Sequence, residues 1–259
     1  MIAAGRGAAG PWLVEWPGRL TAMVDLLCFP GAGAGASAFR PWAGRLPGFA
    51  ALVACQLPAR ESRIDEAPAE SLALIADAAA EAYLGLRRVP RPLVLFGHSM
   101  GGVLAFEVAG RLVRAGRSPA AVVISSSTPP DGARAGEELE PAALRDLLLA
   151  YDPGNRSIVA HDELFASLEP ALRSDIALLR GHRVGPDAVL DLPAWLLSGA
   201  GDRIVPQAAV ARWAGHFTGP VTQEEMAGGH HFPFGESSGA VLERLAGLLR
   251  QALNARAGV

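Results

Sequence analysis

Residues 93–102 read LVLFGHSMGG, which joins an apolar run, a Gly-x-Ser-x-Gly turn and a helix-forming segment. A serine on such a sharp strand-to-helix turn projects its hydroxyl above the sheet, and Gly97 and Gly101 leave room for the neighbouring strand and helix. The helix that follows directs backbone amides and the positive end of its dipole toward a developing oxyanion. The stretch therefore predicts Ser99 as a nucleophile and the Met100 N–H as one oxyanion donor.

Short apolar runs alternate with helical segments along most of the chain. This alternation is typical of a mostly parallel sheet with helices on both faces, and a serine turn in that setting predicts the α/β-hydrolase fold. The predicted strands are Val24–Phe29, Ala50–Gln56, Pro92–Phe96, Ala121–Ser125, Ala194–Ser198 and Thr222–Met226. The predicted helices are Ser71–Leu86, Gly101–Ala115, Gln207–Ala214 and Ser238–Leu253.

We expect a single domain over residues 1–259, with one insertion at residues 131–186. The insertion is too long for one crossover helix, and its position after the serine turn favours a helical lid over the site; extra packing is the alternative. Two helical stripes in the insertion support the lid: Leu144, Leu147, Leu148 and Tyr151, then Leu168, Leu172, Ile176 and Leu179.

Residues 1–22 are rich in Gly and Pro and are predicted to form a tail laid on the surface.

The first predicted strand ends in a glycine-rich loop, residues 30–35. In an α/β-hydrolase the loop after that strand supplies the second oxyanion amide, for which Ala32 is the candidate. Part of the loop also matches the dinucleotide fingerprint Gly-x-Gly-x-x-Ala, which requires an acidic residue at the end of the next strand. Gln56 stands at that position and Pro30 separates the strand from the glycines, so the dinucleotide alternative is disfavoured.

The general base is expected near the end of the chain, because this fold orders its triad as Ser, then Asp or Glu, then His. His230 follows a glycine pair between the last predicted strand and the last helix, where an imidazole can reach back over the sheet edge. We expect His230 to be the base, with His231 as the alternative. His98 adjoins the nucleophile but points away from it on such a turn, and it is expected to be structural. His161 and His182 fall in the insertion, and His216 follows a helix rather than a late strand, so none of these is the candidate base.

The acid is expected on the turn after Ala194–Ser198. This turn presents Asp202 between glycine and Arg203, directly after a buried strand. Asp131 is the alternative, since some relatives of the fold carry the acid on the earlier strand, but it lies beyond two prolines. As the acid, Asp202 would fix the imidazole tautomer of His230, while His230 takes the Ser99 proton.

The composition excludes several classes of protein. A formal net charge of −3 gives no indication of nucleic-acid or anionic-membrane binding. An apolar fraction of 50% is too high for a disordered chain. The two cysteines, Cys28 and Cys55, cannot make a disulfide framework and are expected to be buried thiols. Residues 1–10 contain no apolar stretch of signal-peptide length, and no later apolar run is long enough to span a membrane. We expect a cytoplasmic monomer that uses no metal and no cofactor.

Five segments resemble the motifs of a known family, the type II (editing) thioesterases that accompany modular polyketide synthases and non-ribosomal peptide synthetases. The resemblance implies hydrolysis of acyl thioesters on the phosphopantetheine arm of an acyl or peptidyl carrier protein. It also carries the family's triad onto Ser99, Asp202 and His230. The Pro-x-Arg-Glu-x-Arg part of the second segment discriminates best, because a generic esterase has no reason to carry it. The segments are residues 27–33 (LCFPGAG), 56–63 (QLPARESR), 96–102 (FGHSMGG), 172–175 (LRSD) and 228–232 (GGHHF).

The sequence departs from the family's pattern at a few positions. Ala59 stands where the family usually has glycine, His231 replaces a common phenylalanine, and the first loop is altered at Gly31 and Ala34. These departures bear on substrate preference rather than on the reaction class.

Arg60 and Arg63 of the second segment are expected beside the first oxyanion loop. They are candidates for a rim that faces an acidic carrier protein. The alternative is an ion pair that contributes little.

Two other functions stay open at this point. One is a chain-releasing thioesterase or small-ester esterase of the same fold, and the other is a carrier-binding module without catalysis. Removal of stalled or wrong acyl groups from a carrier protein is the function that the motifs favour.

Overall fold

The computed structural model describes residues 10–16, 21–130, 139–185 and 188–257. A seven-stranded sheet forms its centre, made of β1 (Leu13–Glu15), β2 (Val24–Phe29), β3 (Ala50–Cys55), β4 (Leu93–His98), β5 (Ala121–Ser125), β6 (Ala194–Gly199) and β7 (Val221–Met226). The strand order is β1-β3-β2-β4-β5-β6-β7. All neighbours pair in parallel except β1, which pairs antiparallel to β3.

The central strands are buried because their sequences are mostly apolar, with Asp25, His98 and Ser125 as buried polar exceptions. Every residue of β2, β3, β4 and β5 is buried. Strands of a parallel sheet are covered on both faces, so they need apolar side chains in both directions. The predicted fold class, a mostly parallel sheet with helices on both faces, is confirmed.

The helices of the described residues are α1 (Leu72–Leu86), α2 (Met100–Arg114), α3 (Pro141–Tyr151), α4 (Arg156–Ala160), α5 (Asp162–Gly181), α6 (Gln207–Ala211) and α7 (Ser238–Ala257). Helices α1 and α2 pack on one face of the sheet and α7 packs on the other, whereas α3, α4 and α5 belong to the insertion. The alternation of side chains along β2 divides the core in two. Leu27 and Phe29 pack in the cluster that contains α1 and α2, whereas Leu26 and Cys28 pack in the cluster that contains α7.

The insertion between β5 and β6 is helical in its described part, residues 139–185. It consists of α3, α4, α5 and a short 3-10 helix, and α3 carries Pro141 in its first turn, where proline is favoured. The predicted stripes point inward: Leu144 and Leu172 are fully buried, and Leu148 is 5% exposed.

The structure corrects the prediction of a surface tail at residues 1–22 for its described part, while residues 1–9 and 17–20 lie outside the described residues. Residues 13–15 are β1, and Leu13 is buried and aligned with Cys55 at the edge of the sheet. Three residues are too few to show the alternation by which a strand is recognised.

Other departures from the predictions are smaller. The helix predicted to run to Ala214 changes after Ala211 into a 3-10 helix, Arg212–His216. Cys28 and Cys55 are buried free thiols, as expected, and burial raises the pKa of Cys55 to about 12. No helix in the described ranges combines the length and apolar character needed to cross a bilayer.

Candidate active site

Ser99 lies on a strained turn between β4 and α2. Its backbone has φ 55° and ψ −120°, in the region that L-residues rarely adopt. The turn is held because the Ser99 N–H donates to the Ser125 carbonyl at 2.8 Å. A Cβ on Gly97 would lie 2.0 Å from the Gly101 carbonyl oxygen, and a Cβ on Gly101 would lie 2.0 Å from that of Phe29. Both glycines of the motif are therefore required by close backbone packing.

The carboxyl ends of the parallel strands bring four loops to one edge of the sheet. Phe29 of β2 aligns with Gly97 of β4, and β6 and β7 end together at the aligned pair Gly199 and Met226. Ligands in open α/β sheets bind at this edge. The loops that follow these strands carry the predicted site residues Ala32, Ser99, Asp202 and His230.

Asp202 and His230 form a buried hydrogen-bonded pair. The distance from His230 Nδ1 to Asp202 Oδ2 is 2.9 Å, and the residues are 4% and 8% exposed. Asp202 Oδ1 accepts the backbone N–H groups of Ile204 and Val205 at 2.9 and 3.0 Å. Burial by itself raises the pKa of Asp202. The hydrogen bond and the charge of His230, together with the Val205 amide, outweigh burial and lower the pKa to about 2. The carboxylate is therefore ionised and oriented by its neighbours.

The other ring nitrogen of His230, Nε2, is buried and has no hydrogen-bond partner among the described residues. His230 and Ser99 line the same cavity, of about 160 Å³. An ionised carboxylate paired with an imidazole that keeps one nitrogen unoccupied can accept and return a proton, and a serine lines the same cavity. The cavity is lined by Gly31, Ala32, Gly33, Ala34, Ala38, His98, Ser99, Leu148, Tyr151, Asp152, Asn155, Leu168, His230, His231 and Phe234.

The alternative acid and base occupy different positions. Asp131 lies outside the described residues. His231 Nε2 lies 3.5 Å from an oxygen of Asp152 in the insertion, and burial lowers the pKa of His231.

The remaining histidines make no hydrogen bond to Asp202. His98 Nδ1 lies 3.2 Å from the Ser125 hydroxyl, and burial holds the pKa of His98 well below its usual range. His182 pairs with Glu107 on α2, and His216 Nδ1 contacts the Ala188 carbonyl. His161 is exposed where α5 begins.

The loop after β2 lies against the serine turn. Gly31 packs on Ser99, since a Cβ at Gly31 would lie 3.4 Å from the Ser99 Cβ. The Ala34 N–H donates to the Gly31 carbonyl at 3.1 Å, which closes a turn around Ala32. Both predicted oxyanion donors are buried: Ala32 lines the cavity, and Met100 directly follows Ser99.

The structure does not place Arg60 and Arg63 as a carrier-facing rim. Each residue is only 6% exposed, and each guanidinium is occupied by the protein's own acceptors. Arg60 pairs with Asp175 of α5 through two contacts of 2.5 and 2.9 Å. Arg63 donates to the Gln56 carbonyl at 2.9 Å and pairs with Glu66. Asp175, the partner of Arg60, lies 115 positions away, so the sequence could not show this pair, whereas the partners of Arg63 are close neighbours in the chain.

Two residues at the site were not singled out from the sequence for a role in it. Tyr151 was predicted only as part of an apolar stripe, but its ring stacks on His230 with centroids 5.0 Å apart. Asp175 accepts the Gly33 N–H at 2.8 Å. The only signal for Asp175 was its place in the motif at residues 172–175. In the described part of the chain, no group of three or more His, Cys, Asp or Glu is arranged to hold a metal ion.

Comparison with known proteins gives consistent likenesses. The family described as Thioesterase domain matches residues 24–249. The "Probable cadicidin biosynthesis thioesterase" of Streptomyces griseus is 33% identical over 86% of this chain, which spans 62% of that protein's length. The type II thioesterase BorB from the borrelidin biosynthetic cluster is 33% identical, with a TM-score of 0.82 over 92% of this chain and 97% of BorB. YbtT, a type II thioesterase from the yersiniabactin NRPS/PKS biosynthetic pathway, is 26% identical, with a TM-score of 0.82 over 93% and 99%.

Proposed function

Because the chain belongs to the thioesterase domain family, as its motifs predicted, we propose that it hydrolyses acyl thioesters on the phosphopantetheine arm of acyl or peptidyl carrier proteins. The observation that carries this proposal is the His230–Asp202 hydrogen bond of 2.9 Å, which leaves the buried His230 Nε2 without a partner among the described residues, in a side chain that lines the same cavity as Ser99. The pair and the serine supply the base, its orienting acid and the nucleophile that acyl transfer needs.

The first half of the reaction forms an acyl-enzyme. The Ser99 Oγ attacks the thioester carbonyl carbon while His230 Nε2 takes the hydroxyl proton. The carbonyl oxygen becomes an oxyanion that the Met100 and Ala32 N–H groups stabilise. When the intermediate collapses, the carbon–sulfur bond breaks and the proton on His230 passes to the departing thiolate. The carrier leaves with a free thiol, and the acyl group stays on Ser99.

The second half repeats these steps with water. His230 takes a proton from a water molecule, whose oxygen attacks the acyl-serine ester. Collapse of the second oxyanion breaks the ester bond, and His230 returns the proton to Ser99 Oγ. Asp202 stabilises the imidazolium in both halves and stays ionised, in keeping with its pKa of about 2.

We further propose that residues 131–186 act as a lid within one domain of residues 1–259. In support, Leu148, Tyr151 and Leu168 of this insertion line the same cavity as Ser99. A cavity beneath such a lid suits a long, thin phosphopantetheine arm, and the carrier protein adds binding energy remote from the bond that breaks. The editing role, the removal of stalled or wrong acyl groups, follows from the likeness to type II thioesterases. We place the enzyme in the cytoplasm as a monomer that needs no cofactor.

The test compares one acyl group on two thiols. Hydrolysis is measured for matched acyl-carrier and acyl-cysteamine substrates over several chain lengths, with the Ser99→Ala protein as the blank. We expect a higher kcat/KM on the carrier and little selectivity among short acyl groups. Equal efficiency on both thiols would make the protein a general thioesterase or esterase. Absence of turnover on both would leave only a carrier-binding role.

A further inference from the structure

Asp175, on helix α5 of the insertion, joins three distant parts of the chain. Its Oδ2 accepts the Gly33 N–H at 2.8 Å and an Arg60 N–H at 2.5 Å, and its Oδ1 accepts a second Arg60 N–H at 2.9 Å. Asp175 is 2% exposed and Arg60 is 6% exposed. A buried carboxylate with all these partners is a costly feature that a pair of apolar side chains could replace if packing were its only purpose.

The Gly33 amide bound by Asp175 lies one residue beyond Ala32. Gly33 has φ +76°, and its missing Cβ is bordered by the Leu172 side chain at 3.2 Å. Helix α5 thus contributes a charge-assisted hydrogen bond and a steric contact to the same residue. On the other side of Ala32, the Ala34-to-Gly31 hydrogen bond closes the turn. Ala32 is therefore held from both sides, and one of the two supports comes from the insertion.

Arg60 ties the same loop to Asp175 by a second route. Its guanidinium donates to the Ala34 carbonyl at 3.3 Å as well as to the carboxylate. Gln56 accepts the Ala36 N–H at 3.2 Å and donates to the Arg60 carbonyl at 3.1 Å. The Gln-Leu-Pro-Ala-Arg segment thus forms a buried bracket between the glycine-rich loop and α5.

From these contacts we propose that Asp175 is a positioning residue for the oxyanion hole: it holds the Gly31–Ala34 loop so that the Ala32 N–H faces the developing oxyanion only while α5 is seated. Asp175 itself does not touch the substrate, and it acts through the loop. The proposal rests on the proposed function of Ser99 and Ala32. Leu168, which lines the cavity, stands on the same helix as Asp175. The insertion therefore packs over the cavity and completes the oxyanion hole in one event.

The test uses Asp175→Asn and a matched control, Glu169→Gln. Asparagine keeps an acceptor for Gly33 but removes the charge that Arg60 pairs with. Glu169 is on the same helix and pairs with Arg173 at 2.6 Å, so its substitution removes an ion pair of α5 away from the loop. With an acyl-cysteamine substrate, we expect Asp175→Asn to lower kcat by about 10- to 100-fold with KM nearly unchanged, as for a displaced oxyanion donor. Glu169→Gln should stay near the wild type.

Two readouts separate positioning from a general structural role. A boronic acid carrying the acyl chain forms a tetrahedral adduct on Ser99, and its affinity should fall in parallel with kcat/KM. In the Ser99→Ala background, the Kd of the acyl-cysteamine should not change when Asp175→Asn is added. Unchanged kcat and boronate affinity in Asp175→Asn, or an equal loss in Glu169→Gln, would overturn the proposal.

Hydrogen exchange of the Ala32–Ala34 amides gives a readout that does not depend on activity. Exchange should be faster in Asp175→Asn than in Glu169→Gln, and equal rates would overturn the proposal even in a protein without thioesterase activity. Failure of the proposed function, by contrast, would appear as absence of turnover in the wild type. If Asp175→Asn does not fold, the neutral pair Arg60→Gln with Asp175→Asn is measured in its place against the same outcomes.

Discussion

The phenol ring of Tyr151 stacks on the imidazole of His230, with 5.0 Å between the ring centroids and 22° between the planes. Tyr151 ends helix α3 of the insertion, and His230 stands on the loop after β7. The stack therefore connects the insertion directly to the proposed base.

Removal of this stack should slow the reaction without changing its chemistry. We expect Tyr151→Ala to lower kcat by about 2- to 10-fold, because an aromatic pair contributes about 0.5–1.5 kcal/mol to holding its rings in place. Tyr151→Phe keeps the ring and should retain wild-type kcat. Steady-state hydrolysis of an acyl-cysteamine checks both variants. Equal losses in the two would instead assign the effect to the hydroxyl.

The proposed nucleophile is tested by Ser99→Ala. Removal of a triad member in a well-studied serine hydrolase costs about a millionfold in turnover, so the variant should show only background hydrolysis. Its unfolding midpoint should match or exceed that of the wild type, because Ser99 sits in a strained conformation that alanine does not worsen. Covalent labelling by a fluorophosphonate should disappear in the variant. Retention of a tenth of the wild-type rate would contradict the assignment.

The proposed acid and base are tested against their sequence alternatives. Asp202→Asn removes the charge that orients His230, and we expect a loss of kcat of about 10⁴-fold, as in a protease triad. His230→Ala removes the proton acceptor and should cost at least as much. Asp131→Asn and His231→Ala serve as controls that keep most of the activity. Loss of activity in Asp131→Asn with a functional Asp202→Asn would transfer the acid to the earlier strand.

Asp202 should also contribute to acid stability. Its pKa of about 2 is lower than that of an aspartate in an unfolded chain, so the ionised form favours the native state. This contribution is fully present above the unfolded pKa of about 3.9 and is lost as the pH falls through about 2. The free energy of unfolding of Asp202→Asn should therefore depend less on pH in this window. Identical pH dependence of the two proteins in denaturant titrations would argue against it.

Ala59 offers a stabilising substitution. Its φ of 64° lies in the left-handed region, which costs an L-residue about 1–2 kcal/mol but not a glycine. Glycine adds about 0.4–1 kcal/mol of unfolded-state entropy, so Ala59→Gly should raise the free energy of unfolding by up to about 1.5 kcal/mol. Chemical denaturation measures this, with Ala38→Gly as a control outside the positive-φ residues. A lower stability than that of the wild type would contradict the strain argument.

Local chemistry explains what could be predicted from the sequence. The Gly-x-Ser-x-Gly turn was recognisable because both positions require glycine. The backbone lies too close for a Cβ there, either within a few residues of Ser99 or on the adjacent strand. The predicted ends of the long apolar strands lie within one or two residues of the observed ends. Asp202 and His230 were selected by chain order and by the glycines around them, and the structure brings them within a hydrogen bond.

The sequence by itself determined the sheet, the serine turn and the candidates for its acid and base, because a strand, a turn and a helix end are set by neighbouring residues. Only the tertiary structure decided that Leu13–Glu15 adds an edge strand, that Arg60 is buried, and that Tyr151 and Asp175 reach the site. Arg60 and Asp175 are separated by 115 positions, and Gly33 and Asp175 by 142. Contacts over such separations depend on how the insertion packs on the sheet, and no local pattern of side chains encodes that packing.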